Sequence, residues 1–475
     1  MKTTSVPARG RMLCPLLAAM LWLAGCAGLQ PEDTLDAARD WSLRVDGQAP
    51  SWHEPVAPCA RADGNRDALL SAPLDEQGAL RLALACSPAL QALLADAWQA
   101  QARAAQAGAP PNPFFIFERV SFSGDVDISR KLGIGLTELL TWPWRQDAAA
   151  RELQALRLQL ARQVLAHNAD VRAAWVRAVA AQQLLSYQRQ VLDAAETGAE
   201  LARRMQAAGN FSRLQRAREQ DFVGSARAQL ARAQTAASAE RENLVRRLGL
   251  DEADAARLRL PEQLPPLPAQ PLAADVVAQR AMDERVDLLL ARAQLGAAQR
   301  TQGLETVRLF DIELAAVRDQ AADGTRGPGT EVALALPLFD TGGNLRQEAS
   351  ARVRAAQARF EQVRREAGSL LRERYAAYRS AYDVALQQRD EVLPLKRTIG
   401  DEMLLRYNGM LASVFELLAE ARAQSTAVIG AIEAQRDFWL ADAALRAALA
   451  GAPGPALSRA ASIAAAAPAA AAGGH

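Results

Sequence analysis

The sequence has little of what catalytic and metal centres are made from. Its 475 residues include three histidines, His53, His167 and His475, far apart and without ligand spacing, so no metal site is expected. No nucleophile beside a base, no acid–base pair and no cofactor motif is evident, which argues against an enzyme and against any bound cofactor. Neither sign of charge is in excess: Lys and Arg number 55 against 54 for Asp and Glu, so no global field invites nucleic acid. Aromatic residues make up only 5% of the chain. What is abundant is alanine together with charge, the mixture found in long helices packed closely through small side chains.

The N-terminus carries an address. Lys2, Arg9 and Arg11 precede an apolar run from about Met12 to Leu23, which ends in Leu23-Ala24-Gly25-Cys26. The run is shorter than the ~20 residues a membrane-spanning helix needs. It resembles a bacterial lipoprotein signal, which implies removal of residues 1–25 and acylation of Cys26, the palmitate-bearing first mature residue. Ala27 after the cysteine implies, by the same resemblance, delivery to the outer membrane. Cys59 and Cys86 then remain. In an oxidising periplasm they can pair, and two reduced cysteines are the alternative.

The chain is written twice. From Gly78 a helical pattern runs to Gly108 and is stopped by Pro110, Pro111 and Pro113; two alternating segments and a very long helical stretch follow. The same order begins again near Ala273. The expected division is therefore a lipid-anchored extended segment over 26–77, a first repeat over 78–259, a proline-rich connection over 260–272 and a second repeat over 273–450. The first repeat holds a β-hairpin at 114–140 and a long helical hairpin at 144–249; the second holds them at 308–338 and 344–450. An Ala/Pro-rich tail, 451–475, reads as disordered.

All four short segments alternate. Phe114, Ile116, Val120 and Phe122 share one face of the first, although Phe115 and Phe117 stand on the other. Leu132, Ile134 and Leu136 oppose Lys131, Gly133, Gly135 and Thr137 in the second. In the third, Phe310, Ile312 and Leu314 oppose Asp311 and Glu313; in the fourth, Val332, Leu334, Leu336 and Leu338 form the apolar side. A soluble sandwich is one reading. The other is a transmembrane barrel, with Lys131, Asp311 and Glu313 facing a water-filled lumen and the polar stretches SGDVDIS and RDQAADGTRGPG as outward loops. Trp142 and Trp144 then fall where an interfacial aromatic belt is expected. Four strands are too few for a barrel, since the smallest single-chain bacterial barrels have about 8. Several copies must share one, and three would contribute twelve.

Between Trp144 and Gly209 there is no proline, and only Gly198 weakens a stripe of apolar residues that would extend on the order of 95 Å. The second long helix carries Pro394, where a kink is expected. Each ends in a glycine turn with a serine positioned to cap the next helix: Gly209 with Ser212, and Gly409 with Ser413. Phe211, Met410 and Leu411 at these tips call for cover.

These features together resemble the TolC family of outer-membrane efflux proteins. The resemblance rests on ALRLALACSPALQALLADAWQAQARAAQAGAPPNP at 79–113, LALPLFDTGGNLRQEASARVRAAQ from 334, the tips AGNFSRL and YNGMLASVFELLAEAR, and the duplicated order, over about residues 72–450. Cys86-Ser87-Pro88 departs from the Asn-Pro often found there. The resemblance implies a mainly α, internally duplicated fold with a small β part. It also implies a homotrimer with a β-barrel in outer-membrane lipid and a periplasmic α-barrel of coiled-coil hairpins, working with a periplasmic adaptor (membrane fusion protein) and an inner-membrane efflux transporter. Gly209, Phe211, Ser212, Gly409 and Ser413 are then candidates for adaptor docking. Glu219, Asp221 and Glu416 are candidates for a gate or pore ring, or else solvated charges paired with arginines such as Arg216 or Arg218. A periplasmic coiled-coil scaffold without a pore is the competing function.

Overall fold

The computed structural model describes residues 30–52, 65–122, 125–275, 277, 285–305, 312–335, 338–339 and 342–455. The leader, Cys26, Cys59, Asp311 and the tail from 456 onward lie outside the described residues. All four alternating segments are strands: β1 (Phe114–Phe122), β2 (Asp125–Gly135), β3 (Ile312–Gln320) and β4 (Arg326–Leu334). They form one antiparallel sheet in the order β1-β2-β3-β4, so the two repeats meet where β2 pairs with β3.

Helix α1 (Asp36–Asp46) lies in the segment expected to be extended. Leu35, Ala38 and Trp41 are buried against the long helix of the first repeat. Asp46 takes an ion pair from Arg172 (2.7 Å) and a hydrogen bond from Asn168 (2.6 Å). The period of so short a helix is hard to see in sequence, and its docking depends on partners more than a hundred residues away. Helices α2 (Asn65–Ser71), α3 (Glu76–Cys86) and α4 (Pro88–Ala107) follow, with Ser87 capping α4 through Leu90 N–H. Cys86 is disulfide-bonded, to a partner outside the described residues.

Helix α5 spans Leu136–Ala207, 72 residues and about 108 Å. It starts earlier than the alternation of Leu132, Ile134 and Leu136 suggests, because Leu136, Leu139 and Leu140 also fit helical spacing. Pro143 is accommodated inside it. Trp142 is turned inward, its indole N–H donating to Gly108 O (3.1 Å), while Trp144 is exposed. Helix α6 (Arg213–Leu248) returns beside α5, and the short α7 (Glu252–Arg257) leads into the proline-rich connection.

The second repeat gives α8 (Val286–Glu305), α9 (Gly343–Gln387), α10 (Leu393–Asn408) and α11 (Val414–Ala450). Between α9 and α10 the helix widens into a π turn, Gln388–Val392, ending two residues before Pro394. A proline ring collides with the carbonyl four residues back and lacks an N–H to give it; a π turn moves that carbonyl aside without ending the helix.

The core sits where the short helices and the connection wrap the middle of the long ones. Trp175 is 1% exposed and donates to Leu74 O (2.8 Å). The connection is rich in proline and short of N–H donors, so its carbonyls are met by side chains: Tyr382 at Pro268 (3.1 Å), Tyr375 at Leu272 (3.1 Å) and Trp439 at Pro265 (3.0 Å). Tyr382 and Trp439 meet fully buried Phe438 edge to face, and Tyr375 stacks on Tyr378, which leans on the same ring.

His167 on α5 gives the fold a pH dependence. Burial, and then the Arg247 guanidinium, lower its pKa from 6.5 to about 4, while Asp170 opposes them. The unfolded chain therefore binds more protons than the native one between these values, and stability is lost as pH falls from about 6.5 to 4. Up to about 3 kcal/mol is at stake over that window. His167→Leu should flatten the wild-type decline in unfolding free energy over this range; an unchanged slope would assign the acid sensitivity elsewhere.

Candidate functional site

Two regions carry the sequence-derived candidates: the sheet and the helical tips. In an antiparallel ladder directly opposed residues point the same way. The register Phe115↔Leu132, Leu132↔Ala316, Ile134↔Leu314 and Leu314↔Val332 therefore puts these residues on one face, with Ile312 and Leu334. Phe115, Leu132, Leu314, Val332 and Leu334 are all exposed there. This corrects the reading of β1. Phe114, Ile116 and Val120 stand on the opposite, polar face, and Phe115 and Phe117 are the members of the apolar one. Both sides of the Phe-Phe-Ile-Phe run are apolar, so alternation alone left the choice open and the pairing with β2 decides it.

Lys131 and Glu313 share that polar face, and Lys131 Nζ lies 2.6 Å from Glu331 Oε2, reaching diagonally across β3. Gly133 is buried beneath the ring of Phe114, where a Cβ would come within 2.4 Å of Cζ. Asp311, the third lumen candidate, falls outside the described residues.

At the tips, the two hairpins use the same capping chemistry. Ser212 accepts from Gln215 N–H (3.2 Å) while its own N–H donates to Gln215 Oε1 (2.7 Å). Ser413 does likewise with Glu416, at 3.3 Å and 2.7 Å. The backbone N–H and hydroxyl of Ser413 hold the Glu416 carboxyl below its ordinary value, so this gate candidate is placed in a cap. Gly209 is left-handed at φ +82°, but Gly409 is not; the left-handed residue of the second tip is Met410, at φ 57°.

Phe211 is buried rather than projecting. Its ring stacks on Phe415 at 4.8 Å, joining one hairpin tip to the other. Met410 and Leu411 are the exposed tip residues, at 94% and 82%. Glu219 is buried too, and its partner is Arg422 on α11 at 2.5 Å rather than Arg216 or Arg218 on its own helix. The Arg422 guanidinium lies 4.4 Å from the Phe222 ring centre. Gly198 on α5 faces this pair, and a Cβ there would make ordinary contact with Leu418 at 3.4 Å and Glu219 Oε2 at 3.7 Å. Asp221 is exposed. Arg422 was not singled out in the sequence, since it and Glu219 are 203 residues apart and belong to different repeats. The signal that could have found it is that both follow the tip serines of their own repeats at similar distances.

No protein-family model matches the chain, and no curated protein matches it by sequence. Solved structures do. A membrane protein from Pseudomonas aeruginosa is similar over 86% of this chain and 99% of its own, at 23% identity and a TM-score of 0.68. The outer membrane protein VceC of Vibrio cholerae matches 79% of this chain and 96% of its own, at 18% identity and a TM-score of 0.65. The fold is that of the TolC-like outer-membrane channels. The MtrE outer membrane channel of Neisseria gonorrhoeae, at 20% identity, covers 80% of this chain and 89% of its own with a TM-score of 0.64. The mainly helical, duplicated TolC-like architecture implied by the sequence is thus the architecture found, with near-complete coverage of the solved chains.

Proposed function

We propose that this chain is one protomer of a passive outer-membrane efflux conduit, exporting small molecules or metal ions handed over by an inner-membrane transporter and a periplasmic adaptor. One observation carries the reading. A sheet with an exposed apolar face and a charged opposite face ends at two edge strands, β1 and β4, each with a single neighbour among the described residues, and it continues directly into helices too long for a compact domain. In lipid an open edge is untenable, because every backbone polar group must find a partner. Copies of the chain supply it, and three make a twelve-stranded barrel with β4 of one protomer against β1 of the next. The apolar face then meets lipid, and Lys131, Glu313 and Glu331 line water. The name and fold of the channel-like solved structures support the same reading.

The tips, with Gly209, Ser212, Gly409, Ser413 and exposed Met410 and Leu411, face the adaptor, while Phe211 holds the tips together. Cys26 anchors the N-terminus in the outer membrane. Conduction needs no nucleophile or cofactor from the chain.

Purified protein should form discrete, ion-conducting channels in planar bilayers and migrate as a trimer. A chain that is monomeric and water-soluble after delipidation, and conducts nothing, would sink the proposal. Cys26→Ala separates it from the lipoprotein-scaffold alternative: a barrel stays in the outer-membrane fraction without its lipid, whereas a scaffold is released.

A further inference from the structure

The strands keep their carboxylates and their arginines on opposite faces. Every carboxylate of the four described strands, Glu118, Asp125, Asp127, Glu313, Asp319 and Glu331, stands on the Lys131 face. Every arginine, Arg119, Arg130, Arg318 and Arg326, stands on the apolar face, where no carboxylate accompanies it. All four are exposed. Arg130 lies over the Phe117 ring at 5.9 Å and Arg326 donates to Gln320 (3.2 Å), but none of the four has an ion-pair partner among the described residues.

They also share one end. Arg130 and Arg318 are directly opposed in the register, and Arg119, opposite Ile128, lies one row further from the helices in line with Gln320 and Arg326. Between these two rows and the helical end the same face holds only uncharged residues, among them Ile134, Leu132 and Phe115. From Ile312 to Arg318 is about 20 Å along the strand. A side chain as long as arginine carries its charge from there to the rim of an apolar band ~25 Å tall. A guanidinium facing the middle of the hydrocarbon is strongly destabilising and one at the interface almost free of cost, so the position at the rim is the one a lipid-facing arginine can hold.

We propose that these arginines form a collar that binds the phosphorylated headgroups of the glycolipid in the outer leaflet of the outer membrane. The proposal rests on the barrel reading above, which makes this face the lipid-facing one. Four planar forks with no carboxylate on their own face suit phosphate, which guanidinium binds through paired hydrogen bonds. Segregation from the six carboxylates keeps them from being neutralised by their own sheet. Threefold repetition closes the collar around the barrel.

The test titrates the detergent-solubilised full chain with lipid A and with its dephosphorylated form, reading bound lipid by native mass spectrometry. Lipid A should bind at least roughly tenfold more tightly than the dephosphorylated form, and each of Arg119→Gln, Arg130→Gln, Arg318→Gln and Arg326→Gln should weaken it about fivefold, the gain a single basic residue makes at an anionic surface. Asp319→Asn, on the opposite face, should change nothing. Equal binding of the two lipids by the unaltered protein overturns the proposal without any variant having to fold. So does inorganic phosphate that competes as strongly as lipid A at equal phosphate concentration, which would mark a general anion patch. Bilayer conductance keeps the two readings apart: a conducting channel that ignores the phosphates loses only the collar, whereas a chain that neither inserts nor conducts loses both.

Discussion

Gly249→Ala is expected to lower the unfolding free energy by roughly 3 kcal/mol, whereas Gly209→Ala should cost only about 1 kcal/mol. Both glycines end a long helix in the left-handed region, at φ +73° and +82°, so the backbone cost of an L residue is common to the two. They differ in what surrounds them. A Cβ at Gly249 would stand 2.4 Å from Pro88 Cδ and 2.7 Å from both Cys86 O and Ser87 Cα, while nothing lies within 4 Å of one at Gly209. Cys86 O and Ser87 Cα are backbone at the corner between α3 and α4, which cannot turn aside as a flexible side chain can. The second repeat has the same device: Gly451, at φ +76°, abuts Asp287 at the start of α8. Thermal or denaturant unfolding followed by circular dichroism in detergent checks the difference. Equal losses at 249 and 209 would mean that conformation alone, not the helix-end contact, requires the glycine.

The duplicated order, the four strands, the long helices and the tip caps were legible in the sequence because each is written locally, in a period, a proline stop, or a serine three residues ahead of a Gln or Glu. What was illegible depends on pairing across the chain. The facing of β1 could not be read from a run apolar on both sides, and only its register against β2 assigns Phe115 and Phe117 to the apolar face. Phe211 called for cover and Glu219 for a partner, but the sequence named neither; the other repeat supplies both, through Phe415 and Arg422. The left-handed residue of the second tip is Met410 rather than the neighbouring glycine, a choice that residue preference does not reveal. The clasp of tyrosines and a tryptophan around the proline-rich connection was hidden for a related reason: a segment poor in N–H donors signals that its carbonyls need partners, but not which ones.

The charge sorting of the sheet, by contrast, was present in the sequence all along as period-two alternation, with Glu118-Arg119 and Arg318-Asp319 switching sign from one face to the other, and Arg130, Lys131 and Glu331 falling into place only once the register is known. A wall between lipid and water needs its two faces to differ in more than hydropathy. In the proposed barrel, carboxylates toward the water would repel anions and draw cations, while guanidinium groups at the lipid rim would hold it at one depth.

In the proposed channel, Arg422→Ala is expected to loosen the tip and raise single-channel conductance severalfold, because Glu219–Arg422 and the Phe211–Phe415 stack are among the contacts that tie the first helical hairpin to the second there. Truncating one partner of a buried ion pair costs about 3–5 kcal/mol, since the other charge is left desolvated and alone. The Glu219 side chain is 3% exposed but that of Arg422 is 33% exposed, so water enters on the arginine side and the cost here is closer to about 2 kcal/mol. That is enough to shift a closed tip toward an open one by more than tenfold if the strain is released by parting the hairpins. Glu219→Gln with Arg422→Gln removes both charges and leaves no lone one, so the double variant should gate closer to the parent than Arg422→Ala does. Lys396→Ala supplies the contrast: its ion pair with Glu420 (3.1 Å) joins α10 to α11 inside one hairpin, and breaking it should leave conductance unchanged. If all three variants conduct alike, the tip is held shut by contacts between protomers and the Glu219–Arg422 pair is no latch.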